Sequence, residues 1–178
     1  MGEGGAMIRI CLHGPESTGK STLAAHLAKH FGEPLVPEYG RLWCETFGTS
    51  LTMHDLVAIA HGHDAMTKAL EQCARRLVIV DTDPLMTTVW ADMLFGRRHP
   101  WFDRWGPPAD LYIMPGLDLP WVEDGTRMFG KAEDRARFME LSEAELIRRG
   151  ARYVKVEGQG DARLANALAA IQHVGLPI

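Results

Sequence analysis

The octapeptide Gly14-Pro15-Glu16-Ser17-Thr18-Gly19-Lys20-Ser21 constrains this chain more than any other feature. It fits G-x-x-x-x-G-K-[ST], a pattern that works only as a turn between a buried strand and a helix. Gly14 and Gly19 let backbone N–H groups turn inward on an anion, the following helix adds partial positive charge, and Lys20 reaches the outer phosphates. Ser21 is the hydroxyl expected to hold magnesium, and Glu16, Ser17, Thr18 and Thr22 complete the expected cradle. Both flanks agree. The apolar run 7–12 precedes the turn; after it Leu23, Leu27 and Phe31 recur every four residues and stop at Gly32, as one helix face with a C-terminal cap does. A loop of this kind takes a nucleoside triphosphate. Guanine would need an N/T-K-x-D segment, and Thr67-Lys68 is followed by Ala69-Leu70, so ATP is favoured.

The remaining chain reads as α/β. Apolar runs at 7–12, 35–36, 77–80, 111–114 and 153–156 are strand-length and alternate with helical patterns, the signature of a parallel sheet with crossover helices. Thr52 and Asp55 form a capping pair opening a helix toward Cys73, Asp83-Pro84 reads as N-cap and first helical position, and a last helix from near Asp161 buries Leu164, Leu168 and Ile171. The expectation is one P-loop NTPase domain over residues 1–178: five parallel strands, flanking helices and a lid at about 116–135. At 178 residues, 46% hydrophobic, 24% charged and with a net charge of −4, the composition is ordinary for a globular protein and argues against nucleic acid as the main partner. Cys11, Cys44 and Cys73 have neither disulfide nor zinc spacing, and no apolar run is long enough to be a signal or a membrane span. Gly2 lacks the Ser or Thr that myristoylation wants, because Ala6 stands there. A cytoplasmic, unlipidated protein is expected, of undetermined oligomeric state.

Acidic residues that follow strands face the same crevice as the P-loop in such sheets. Glu38, after the second strand, is the candidate base for an attacking hydroxyl; otherwise it is a solvated turn residue balanced by Arg41. Asp81 ends the third strand as a Walker-B-like carboxylate for magnesium, or else as a helix cap. Asp83 is either an ordinary N-cap or a ligand of a sugar hydroxyl. Residues 116–131 form the candidate lid, whose Arg127, with Arg135 and Arg137 beyond, closes on the transferring phosphoryl group unless these arginines merely line a solvated helix face. The irregular stretch 96–108 is long enough to point to function, and Arg41, Arg97 or Arg98 would make an acceptor-phosphate site. His54, His61 and His63 read as surface histidines, and the five tryptophans as core unless a ring lies beside the crevice.

Further segments carry a family resemblance. Val36-Pro37-Glu38-Tyr39-Gly40-Arg41, Asp81-Thr82-Asp83 with Thr87-Thr88-Val89-Trp90, Asp110-Leu111-Tyr112-Ile113 and Pro120-Trp121-Val122-Glu123-Asp124-Gly125-x-Arg127 resemble the ribosylnicotinamide kinase domain of the NadR family, in order from about Arg9 to Arg163. The resemblance implies a five-stranded P-loop sheet with a lid, and transfer of the ATP γ-phosphate to the 5'-hydroxyl of nicotinamide riboside in NAD salvage. It implies phosphate and magnesium roles for Lys20 and Ser21, the catalytic carboxylate at Glu38, and lid positions for Arg127 and Arg135. Tyr39, Arg41, Asp83, Trp90, Trp121 and Asp124 fall on the acceptor side, and adenine near 157–161, with Gly158 and Asp161. The stretch 128–133 departs from the family pattern, which makes Arg127 the better match of the two arginines. Full-length members carry an upstream nucleotidyltransferase domain; none fits before Met7, so neither adenylyl transfer nor repressor activity is expected. The competing readings are a kinase of another nucleoside or a nucleoside monophosphate, and a non-enzymatic ATP sensor or ATPase switch acting through a partner.

Overall fold

The computed structural model describes residues 7–178; the readings made on Gly2, Glu3 and Ala6 lie outside the described residues. Five strands, β1 (Ile8–Leu12), β2 (Leu35–Val36), β3 (Leu77–Asp81), β4 (Leu111–Pro115) and β5 (Tyr153–Val156), form one parallel sheet in the order β2-β3-β1-β4-β5. The α/β reading and all five strands therefore hold. β1, β3 and β4 are almost wholly buried, as near-continuous Ile/Val/Leu runs must be in a sheet covered on both faces. On one face, α1 (Lys20–Phe31) and α7 (Gly160–Val174) pack Leu23, Leu27, Ala167 and Ile171 onto Ile10, Leu12 and Ile79. In α7 it is Arg163, Ala167 and Ile171 that are fully buried, while Leu164 and Leu168 flank them partly covered. The opposite face carries α3 (Met53–Glu71), α4 (Pro84–Phe95) and α6 (Ala132–Arg148), with Met66, Leu85 and Leu146 around Val78, Val80 and Tyr112.

The caps form where the residue types require them. Gly32 is left-handed and its N–H reaches the carbonyls of Ala28 and Lys29, Thr52 and Asp55 make a reciprocal capping box, and Asp83 accepts from the Leu85 N–H. The stretch 96–108 is not wholly irregular. It contains a short helix α5 (Pro100–Arg104), opened by the His99 imidazole accepting from the Trp101 N–H and anchored by the fully buried Phe102. Arg149 of the α6 C-cap donates to carbonyls of Phe102, Asp103 and Trp105, closing it down. Arg98 is committed to Asp92 at 2.5 Å and Glu145 at 2.7 Å, away from any acceptor phosphate. Among the described residues no helix is long and apolar enough to cross a membrane.

The register sets the position of the site. Leu12 on β1 lies level with Asp81 on β3 and Ile113 on β4, so the P-loop leaves the sheet at the same height as the Asp81 carboxylate. Connections to β3 and β4 depart on either side of β1, which opens a crevice at the carboxyl ends of the strands.

Candidate active site

Two left-handed residues shape the P-loop around its future ligand. Ser17 has φ 57° and Gly19 φ 79°. At Gly19 a side chain would also meet Leu119 Cδ1 and an Arg163 guanidinium nitrogen, both at 3.0 Å, so glycine is needed for conformation and space together. The Lys20 ammonium is 7% exposed and donates to the Pro15 carbonyl at 2.6 Å, the same carbonyl that accepts from the Thr18 hydroxyl at 2.9 Å. Burial lowers the Lys20 pKa, and Glu38, Asp81 and Glu16 oppose that by favouring the charged form.

Four charged groups act on Lys20: Glu38, Asp81, Glu16 and Arg127. Asp81 is 3% exposed, one of its carboxylate oxygens has no hydrogen-bond partner, and burial raises its pKa against the pull of Lys20 and the Ser21 hydroxyl. Glu38 occupies the N-cap position of α2 (Tyr39–Phe47), yet its side chain caps nothing and faces the crevice instead. Burial and the neighbouring Asp81 raise its pKa, with Lys20 and then Arg41 holding it down. Arg41 stands 3.8 Å from Glu38, beyond a hydrogen bond, and donates to Asp124 at 2.8 Å. Glu38 is therefore half-buried, its side chain 23% exposed, and it faces the crevice without being sealed from solvent. Arg127 lines the same crevice, ion-paired to Asp124 at 3.1 Å.

The segment 116–131 arches over the P-loop and is fastened to it. One Glu16 carboxylate oxygen accepts from the backbone N–H groups of Met128 at 2.8 Å and Phe129 at 2.6 Å and from the Trp121 indole at 3.3 Å. The Ser17 hydroxyl donates to the Pro120 carbonyl and accepts from the Val122 N–H at 3.0 Å. Arg135, in the first turn of α6, donates to the Leu119 carbonyl at 3.0 Å, while Arg137 is exposed on the solvated face.

Several expected acceptor residues stand elsewhere. Asp83 does not line the crevice: it caps α4 and accepts the Tyr112 phenol at 2.5 Å behind it, where burial pushes its pKa up to about 6. The ordinary N-cap alternative is the one this geometry has. Tyr39 packs its ring on Gly62, where any side chain would come within 2.4 Å. Trp121 lies against Gly130 and Glu16, and Asp124 organises the lid by accepting from Arg41, Thr126 and Arg127. Asp124 remains strongly acidic because these donors outweigh its desolvation. Gly158 and Asp161 also lie outside the crevice, Gly158 being tied to Asp118 at 2.8 Å and, through its carbonyl, to Arg163. Trp90 does line the crevice, 5.4 Å from the Phe129 ring.

Met86, Thr87 and His63 line the crevice without having been singled out for it. The signal was present: Met86 and Thr87 precede Trp90 by four and three residues, on its face of α4. His63 extends the buried stripe Leu56, Ile59, Ala60 of α3, and at 2% exposed it is no surface histidine, unlike His54 and His61.

The Ser21–Asp81 pair fits a hard divalent cation. It offers a hydroxyl and an unpartnered buried carboxylate oxygen, an incomplete set of the kind magnesium uses when phosphates and water supply the remaining ligands. No cluster of three His, Cys, Asp or Glu ligands exists among the described residues.

Comparison with known proteins agrees with this geometry. A family described as AAA domain (AAA_28) matches residues 9–163. The Trifunctional NAD biosynthesis/regulator protein NadR of Escherichia coli (strain K12) is 29% identical over 174 residues, which is 93% of this chain and 42% of that protein. The chain thus spans about two fifths of the length of the curated relatives it matches. A crystal structure of NadR protein in complex with NR superposes with a TM-score of 0.80 at 26% identity, covering 97% of this chain and 53% of the other. Thymidylate kinase from Ehrlichia chaffeensis shares the fold, with a TM-score of 0.66 at 14% identity over 96% of this chain and the whole of that one.

Proposed function

The chain belongs to the AAA-domain family that spans residues 9–163, and from that premise we propose that it is an ATP-dependent kinase transferring the γ-phosphate to the 5'-hydroxyl of nicotinamide riboside, forming nicotinamide mononucleotide. The observation that carries this reading is Glu38. It is a half-buried carboxylate with a raised pKa, held by no cap bond, and it lines the P-loop crevice with Lys20, close enough to Asp81 to feel its charge. A base so placed removes the proton of a hydroxyl as its oxygen bonds to the γ-phosphorus and the bond from that phosphorus to the β,γ-bridging oxygen breaks, leaving ADP. Lys20 exchanges the Pro15 carbonyl for outer phosphate oxygens. Arg127 faces the transferring group from the lid, and Arg135 supports the lid through Leu119. Ser21 and Asp81 hold magnesium, which neutralises phosphate charge when bound. Adenine is assigned to the loop with Gly158 and Asp161.

The choice of acceptor is supported by the likeness to NadR and by charge. Arg41 is engaged by Asp124 and Arg98 by Asp92 and Glu145, so neither offers an unpaired guanidinium to an acceptor phosphate. Glu16, Glu38 and the aromatic face of Trp90 instead suit a cationic pyridinium riboside. Nicotinamide riboside should outcompete thymidine and uridine monophosphates for phosphate from labelled ATP. Preferential labelling of a monophosphate would move the protein to the nucleotide kinases.

A further inference from the structure

His63 touches neither loop motif in sequence, yet it stands between the two segments that carry the crevice carboxylates. Its Nδ1 accepts from the backbone N–H of Tyr39, the residue after Glu38, at 3.3 Å. An acceptor at Nδ1 puts the ring proton on Nε2. That Nε2–H is buried with no hydrogen-bond partner, and Thr82, the residue after Asp81, lines the same crevice as His63. Thr82 itself is held left-handed at φ 68°, a conformation that a β-branched residue adopts only when its surroundings impose it. The preceding residue on α3, Gly62, is the one that admits the Tyr39 ring, since any side chain there would collide with it. The Tyr39 ring thus packs on α3 beside the point where His63 meets the Tyr39 N–H.

We propose that His63 is a positioning residue, a neutral imidazole on α3 whose Nδ1 holds the Tyr39 N–H at the start of α2 and thereby fixes the aim of the neighbouring Glu38 carboxylate. The proposal rests on the kinase reading given above and adds a residue to it. His63 does not touch the reacting atoms, because its free nitrogen is shielded from solvent. Its contribution is the aim of the Glu38 carboxylate, and misplacing a reacting group by about 1 Å can cost about a hundredfold in rate. Binding of ATP on the P-loop does not depend on this contact.

Three substitutions in the full chain separate positioning from packing. His63→Asn retains an acceptor at the Nδ1 place, His63→Gln retains a donor at the Nε2 place, and His63→Leu retains volume with neither. We expect kcat to fall about tenfold or more in His63→Leu with the KM for ATP nearly unchanged. His63→Asn should recover a large part of kcat even if its thermal midpoint is as low as that of His63→Leu. Long-range 1H–15N spectra of the wild type at pH 7 should show the Nε2–H tautomer. A proton on Nδ1, or equal kcat in the Asn and Leu variants, overturns the proposal. If His63→Leu does not fold, Asn against Gln decides: equal kcat in those two overturns it as well. Wild-type protein without acceptor-dependent turnover removes the kinase reading, and this proposal with it, whereas normal turnover insensitive to His63 removes the proposal alone.

Discussion

Glu38 is kept from forming the simplest bond available to it. A residue at a helix N-cap usually folds its side chain onto the free N–H groups, but here the carboxylate points away into the crevice. Burial, then Asp81, lifts its pKa above that of an ordinary glutamate, so it gives up some acidity and becomes a stronger base. The base acts when ionised, so kcat/KM should rise with pH along a limb lying above the usual glutamate range. Glu38→Gln should lose about 10²- to 10⁴-fold in kcat and abolish that limb with little change in the KM for ATP. An unchanged kcat would take Glu38 out of the base role. At this scale the sequence was informative where one residue type has one job, as at Lys20, and ambiguous where it has two. Asp83 before Pro84 reads equally as cap and as ligand; only the buried Tyr112 phenol, 29 residues away, commits it to the cap. Tyr39 and Trp121 fell in segments shared with a kinase family, and such segments hold the residues that support a site as well as those that line it.

The elements that were legible are the ones with a strong local period. All five strands and the caps of α1, α3 and α4 follow from apolar runs and capping residues. Helix α2 was not, because it is only nine residues long, starts without a side-chain cap bond and has no fully buried residue. Helix α5 was hidden in a stretch of prolines and tryptophans tied down by Arg149, a residue 44 to 47 positions from the carbonyls it meets. The segment expected to be a lid is irregular over 116–131 and helical from Ala132, and its attachment to the P-loop was not foreseen. A P-loop glutamate is expected among phosphates, and here Glu16 gathers two lid N–H groups and an indole. Glu16→Gln weakens an acceptor that serves three donors, because a neutral amide oxygen accepts less strongly than a carboxylate. Amides of Met128 and Phe129 should then exchange with solvent about tenfold faster, while those of β1 and β3 stay protected. Equal exchange at the lid would show that Glu16 does not hold it.

For the molecule as a whole, parallel strands place every contributor at one end of the sheet, with β1 and β3 in register at Leu12 and Asp81. The link between the two halves of the sheet runs through His13. It is fully buried directly before the P-loop, and its Nε2 lies 3.1 Å from the Ser142 carbonyl of α6, so that nitrogen carries the proton. Burial lowers its pKa to about 3. The folded state therefore favours the neutral ring: this contribution to stability is complete above an unfolded pKa near 6.5 and is lost as pH falls from there toward 3. His13→Gln keeps a donor for Ser142 and does not titrate in this range. The thermal midpoint of the wild type should exceed that of His13→Gln by less at pH 5 than at pH 7.5; a constant gap would mean that His13 is not held neutral. Which acceptor enters the crevice was beyond periodicity and composition, since substrate identity depends on a few side chains at the ends of distant elements, and it came from the family resemblance. The most direct measurement is of ADP and product formed from ATP and magnesium with nicotinamide riboside, nicotinic acid riboside, common nucleosides or nucleoside monophosphates as acceptor. The account predicts ADP release that depends on nicotinamide riboside and yields its mononucleotide in equal amount. Release that is the same with no acceptor, or that occurs only with a different one, would contradict it.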